Sequence, residues 1–203
     1  MIFSLTNYFM KKLITLLLII AFHCAYAQDS LNYFNYNREQ VKKKGMEVLG
    51  SWAIVNLAIA TPIAYNTTGS TKYFYRMNAL WNIGNLGAAV SGYISASRNI
   101  DKVNSPSEIL REQRKIEGVF LINGGLDVAY IGAGIYLNNR GNRDGSEKLS
   151  GYGSAFVLQG AVLLLFDSTM FLTERNNGRK LVQFMQKNPV IFNGKTIGMV
   201  FRL

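Results

Sequence analysis

Asn78, Asn82 and Asn85 recur at i, i+4 and i+7, which puts three amides on one helical face of an otherwise apolar stretch. Asn123, Asp127, Tyr130 and Gly134 repeat that spacing on a second stretch, and Gln159, Leu163 and Asp167 line one side of a third. Asn56 adds one amide from a fourth. Helices that turn these faces inward would gather Asn56, Asn78, Asn82, Asn85, Asn123, Asp127, Gln159 and Asp167 around one axis. Such a cluster can hold a small polar ligand or an ion, with Asp127 and Asp167 as charged or proton-exchanging groups. The same side chains can instead join helices, since interhelical polar contacts contribute about 0.6 kcal/mol each in a bilayer and set register. Asp127 falls near the middle of its stretch, where a carboxylate must be neutral, paired or wet, whereas Asp167 lies nearer an end.

The elements that would carry these residues read as helices of a membrane bundle. Apolar stretches at about 48–65, 77–97, 118–137 and 154–172 are each long enough to cross a bilayer, and the connections between them are dense in Lys and Arg. The first helix is expected to start at Asn37 as a cap, with Pro62 near its end. Ser105-Pro106-Ser107-Glu108 has the residues of a capping box with proline at the first helical position. Residues 138–150 read as a solvent loop, and Gly178 as a helix stop followed by an amphipathic segment over 180–187. Val190-Ile191-Phe192, Asn193-Gly194 and the segment to Phe201 read as a β-hairpin. The expected fold is thus an all-α membrane protein, with four transmembrane helices in two hairpins forming a bundle over 28–178 and a short β-hairpin cap within 179–203.

Two ladders of small residues, Gly84, Ala88, Gly92, Ala96 and Gly125, Ala129, Ala133, are expected to let helices approach closely, within the bundle or between copies in a homo-oligomer. The two hairpins also look like a weak parallel repeat, each with a polar lead-in and a glutamate (Glu47, Glu117) before its first span.

Residues 1–27 have the form of an export signal: Lys11 and Lys12, an apolar run over 13–22, and Ala25-Tyr26-Ala27 as a cleavage motif. Cleavage there would remove Cys24 and His23, the only cysteine and the only histidine. Thiolate nucleophiles, disulfides, imidazole bases and the usual zinc sites would then be excluded. The sequence carries no catalytic motif, no metal site and no phosphate-cradling loop, so no cofactor is expected. The formal charge of +10 resides in residues that flank apolar helices, which favours anionic lipid headgroups over nucleic acid as the partner. With the signal cleaved, most Lys and Arg would lie outside the cytoplasm, against the positive-inside rule; a retained anchor helix would restore it.

The segments Met77-Asn78-Ala79-Leu80-Trp81-Asn82-Ile83-Gly84-Asn85-Leu86-Gly87 and Leu121-Ile122-Asn123-Gly124-Gly125-Leu126-Asp127, with Gly151-Tyr152-Gly153, Leu158-Gln159-Gly160 and Phe166-Asp167, give the chain a family likeness. Over about residues 30–175 it resembles an uncharacterised family of bacterial four-span envelope proteins, a domain of unknown function. The resemblance implies a membrane location and brings no activity or ligand. The expected protein is a component of the bacterial cytoplasmic membrane, acting as a non-enzymatic scaffold or a binder of a small polar solute or ion. The alternatives are a small oligomeric transporter or channel, and a carboxylate-based intramembrane enzyme.

Overall fold

The computed structural model describes residues 2–187, 190–192 and 197–199. Four long helices make up nearly all of the described chain: α1 (Ile2–Asn66), α2 (Gly69–Asn99), α3 (Pro106–Arg143) and α4 (Glu147–Lys187). α1 packs along α2, α3 packs along α4, and the two hairpins join chiefly through α2 and α4. α2 and α3 stand apart over most of their length.

The expectation of four spans is overturned. Among the described residues, three helices are long and apolar enough to cross a membrane: Leu31–Asn66, Pro106–Arg143 and Glu147–Lys187. α2 is helical over the expected 77–97 but falls short in apolarity, because Asn78, Asn82, Asn85 and several Gly and Ser residues dilute it. The qualifying helices expose a broad apolar belt that includes Ile122 at 67% and Leu165 at 72%, which water would penalise and lipid would not. A 41-residue helix such as α4 is ~60 Å long at ~1.5 Å per residue, about twice the hydrocarbon thickness, so much of it stands outside the bilayer.

The expected β-hairpin cap is also overturned as a part of the architecture, which is a helical fold. Val190–Phe192 and Ile197–Met199 pair antiparallel over three residues each, too short a ribbon to form a stable layer. The Asn193-Gly194 turn lies outside the described residues.

Helix limits show where local signals prevailed. The Ser105 capping box is formed: Ser105 Oγ accepts from the Glu108 N–H at 3.3 Å, and the Ser105 N–H donates to Glu108 Oε2 at 2.8 Å. Pro62 sits inside α1, four residues from its end. Asn37 does not begin a helix, since α1 runs through it and the Asn37 amide donates to Asn177 Oδ1 at 2.9 Å. Gly178 does not stop α4; its bare Cα admits Glu117 and Gln113 of α3, and the helix continues to Lys187. The loop expected over 138–150 shrinks to 144–146 around Gly145, whose φ of 66° favours glycine. There the Asn138 amide donates to the Ser150 carbonyl at 3.1 Å and to Ser154 Oγ at 2.7 Å, so side chains that read as loop formers lace two helix ends together.

Close approach is carried in part by the first ladder, where Gly92 admits Met46 of α1 and Ala96 is fully buried, and otherwise by glycines outside the ladders. A Cβ on Gly134 would meet the Gly153 carbonyl oxygen and the Val157 nitrogen, both at 2.7 Å. Gly151 similarly touches the start of α2 at Ser70 and Phe74. Gly84 and Gly125, by contrast, have open space where a side chain would stand.

Candidate functional site

The eight polar residues expected in one cluster separate into three groups. Asn78, Asn82 and Gln159 are buried where α2 meets α4, and Gln159 Nε2 donates to Asn78 Oδ1 at 2.6 Å. The Asn78 and Asn82 amides also donate to main-chain carbonyls one turn back, at 3.0 and 2.9 Å. This group serves its own helices and the α2–α4 joint, leaves Gln159 Oε1 without a partner among the described residues, and touches the cavity only through Asn85, whose amide donates to Asn82 Oδ1 at 3.4 Å. Asn56 stands alone: its amide returns to the Trp52 carbonyl at 3.0 Å, and it lines no part of the central cavity.

The remaining four, Asn85, Asn123, Asp127 and Asp167, line a cavity of about 580 Å³ in the gap between α2 and α3, floored by α4. Asp127 is 3% exposed and Asp167 5%. Their carboxyls face each other within hydrogen-bonding reach, and the Asn123 side chain reaches Asp167. Asp127 Oδ2 has no donor from the protein. Two carboxyls in this arrangement need a proton or a cation between them, because among the described residues neither forms an ion pair with Lys or Arg. Aromatic rings form the walls: Trp81 stands edge-on to Tyr130 with centroids 4.9 Å apart, and Phe120 meets Phe166 at 6.3 Å. Lys42 also lines the cavity, and its Nζ donates to Ser95 Oγ at 3.1 Å. Among the described residues, no three metal-ligating side chains of the His, Cys, Asp or Glu type converge.

A second polar assembly, absent from the sequence reading, lies beyond the apolar stretches at the same end as Lys42. Arg38 and Glu39 are buried together, with Arg38 Nη2 2.8 Å from Glu39 Oε1 and 2.7 Å from Asn35 Oδ1. Arg38 Nη1 also donates to the Ile109 carbonyl at 3.3 Å. The Asn35 amide holds the α2–α3 connection through the Asn99 and Lys102 carbonyls, both at 3.2 Å. Gln113 Nε2 donates to the Glu174 carbonyl at 2.8 Å, and Asn177 Nδ2 donates to Gln113 Oε1 at 2.9 Å. Below this layer Leu31, Ile109, Leu181 and Met185 form an apolar core. The available signal was the spacing of Met170, Glu174, Asn177, Leu181 and Met185, which continues one inward face of α4 straight through Gly178.

Glu174 is fully buried, and its Oε1 has no donor. With one guanidinium, Arg38, against the carboxylates of Glu39 and Glu174, and with Glu117 sharing the Gln113 amide at 3.1 Å, Glu174 carries unbalanced negative charge. Glu174→Gln keeps the shape and removes that charge. It is expected to stabilise the protein by about 1 kcal/mol, roughly 2–4 °C in melting temperature, as read by thermal unfolding in detergent. A fall in melting temperature would mean that the carboxylate is balanced by a contact the amide cannot make.

Comparison with curated proteins and with solved structures finds no match. A family model does match, over residues 48–168, more than half of the chain and inclusive of both aspartates and all the polar residues above between Asn56 and Asp167. The chain belongs to this family, described as a family of unknown function, DUF6992.

Proposed function

We propose that this protein is a non-enzymatic component of a bacterial inner membrane that binds a small polar ligand or cation in the cavity lined by Asn85, Asn123, Asp127 and Asp167. One observation carries the reading: a buried Asp127 oxygen without a protein donor opens on a cavity large enough for a ligand. Side chains that only join helices, as Asn78 and Gln159 do at the α2–α4 joint, border no such cavity. Residues 1–27 serve as the export signal in this reading. The basic residues at the Lys42 end meet anionic headgroups.

The test is thermal unfolding of the purified protein in neutral detergent with sodium, potassium, calcium or n-butylammonium chloride at matched ionic strength. At least one cation is expected to raise the melting temperature by several degrees, and Asp127→Asn is expected to abolish the rise while the protein stays helical and monodisperse. If every salt gives the same melting temperature, the carboxyl pair is a structural contact and the binding function is wrong.

A further inference from the structure

The cavity's shape says more about its ligand than its charge does. Its inner surface is polar at Asn123, Asp127 and Asp167, while its rim is built from Leu80, Val119 and Leu126, which are 64%, 43% and 47% exposed. These rim residues belong to the exposed apolar surface, and the gap between α2 and α3 leaves the cavity open on that side. Lys42, held to Ser95, also lines the cavity. The exposed apolar rim gives a ligand a route through the apolar side.

The volume of about 580 Å³ far exceeds a bare ion and, at about 30 Å³ per non-hydrogen atom, accommodates well over a dozen atoms. Two carboxyls select a positive group, and Trp81, Tyr130, Phe120 and Phe166 offer ring faces and edges that suit an ammonium and its attached methylenes. We infer that the cavity takes a single-chain amphiphile with an amine head, which slides in from the exposed apolar side between α2 and α3. The ammonium sits against Asp127 and Asp167, and the hydrocarbon chain leaves between Leu80 and Leu126. Asp127 Oδ2 receives the N–H that the protein does not supply. This inference rests on the cation-binding reading above and adds the ligand's class and its route.

The chain contains two tryptophans, Trp52 and Trp81, and only Trp81 lines the cavity. The Trp52 indole N–H is buried without a partner, so Trp52→Phe removes a competing signal at little structural cost. In this background, protein in phosphatidylcholine nanodiscs is titrated with dodecylamine, dodecanol and n-butylamine while Trp81 emission is followed. Dodecylamine is expected to give a saturable change at a concentration at least tenfold below that needed for either of the others. Asp127→Asn should weaken it at least tenfold, and Val119→Phe, at the exposed rim where folding is not at stake, should weaken dodecylamine severalfold without altering n-butylamine.

Equal responses to dodecylamine and dodecanol would overturn the inference, because the site would not be reading charge. Equal responses to dodecylamine and n-butylamine would overturn it too, since the ligand would then need no chain, while the cation-binding reading would stand. Silence from all three overturns it as well; the melting experiment with inorganic cations then decides separately whether the broader reading falls with it.

Discussion

Gly153→Leu will separate α3 from α4 and leave the protein unable to assemble. A Cβ at Gly153 would stand 2.6 Å from the Gly134 carbonyl oxygen and 2.8 Å from the Asn138 Cα, atoms of a facing backbone with no rotamer to relieve the contact. Relief requires the helix axes to move apart along the seam, which loosens the Asn138 bonds to Ser150 and Ser154 and the floor of the cavity together. The cost should exceed about 3 kcal/mol, at the upper end of what overpacking produces. Gly153→Ala should already lower the melting temperature markedly. Gly125→Ala is the control: nothing lies within 4 Å of its Cβ, and removing a helical glycine gains up to about 1 kcal/mol. Thermal unfolding and size-exclusion profiles of the three variants decide the matter. Equal behaviour of Gly153→Ala and Gly125→Ala would show that α3 and α4 do not meet as described.

Arg38→Met is the second large effect. It strips the buried Glu39 of the one cation paired with it among the described residues and leaves the Asn35 oxygen and the Ile109 carbonyl without that donor. Breaking one side of a buried pair costs about 3–5 kcal/mol, mostly through the charge left behind. The double variant Arg38→Met with Glu39→Gln should recover most of that loss, because no unbalanced charge then remains at Glu39. Unfolding of the wild type, both single variants and the double variant yields the coupling directly. Additive losses would mean that Arg38 and Glu39 each act through other partners. The Asn35 anchor on the α2–α3 connection gives a separate readout: proteolysis near residues 100–105 should accelerate in Arg38→Met and in the double variant alike, because both remove the Arg38 donor to Asn35.

How the two sites were legible follows from the range of the forces involved. Helix spacing alone placed Asn123 and Asp127 on one face and Asp167 on the facing helix, because 3.6-residue periodicity is a local property of the chain. It could not divide the polar set. Asn78 and Asn85 share a face of α2, yet Asn78 meets Gln159 in a packed joint and Asn85 opens on the cavity, a difference set by where α4 and α3 lie. The glycine ladders held only in part for the same reason: Gly92 meets Met46 of α1, while Gly84 and Gly125 face open space. Gly84 and Gly134 look alike in sequence, and only the facing helix decides that one borders empty space and the other a backbone.

From its sequence alone this chain determined long helices with apolar faces, a capped start at Ser105, a membrane character, a likeness to an uncharacterised family, and the inward faces that carry Asp127 and Asp167. These depend on neighbours within a few residues or on composition, which the sequence states directly. Tertiary structure decided the gap between α2 and α3, the helix continuing through Gly178, and the burial of Arg38, Glu39 and Glu174 in what reads locally as polar flanks. A charged residue on a helix end is solvated or buried according to which other helix end arrives beside it. That arrival is fixed by contacts across more than sixty positions, as between the Gln113 side chain and the Glu174 carbonyl, and no local pattern encodes it.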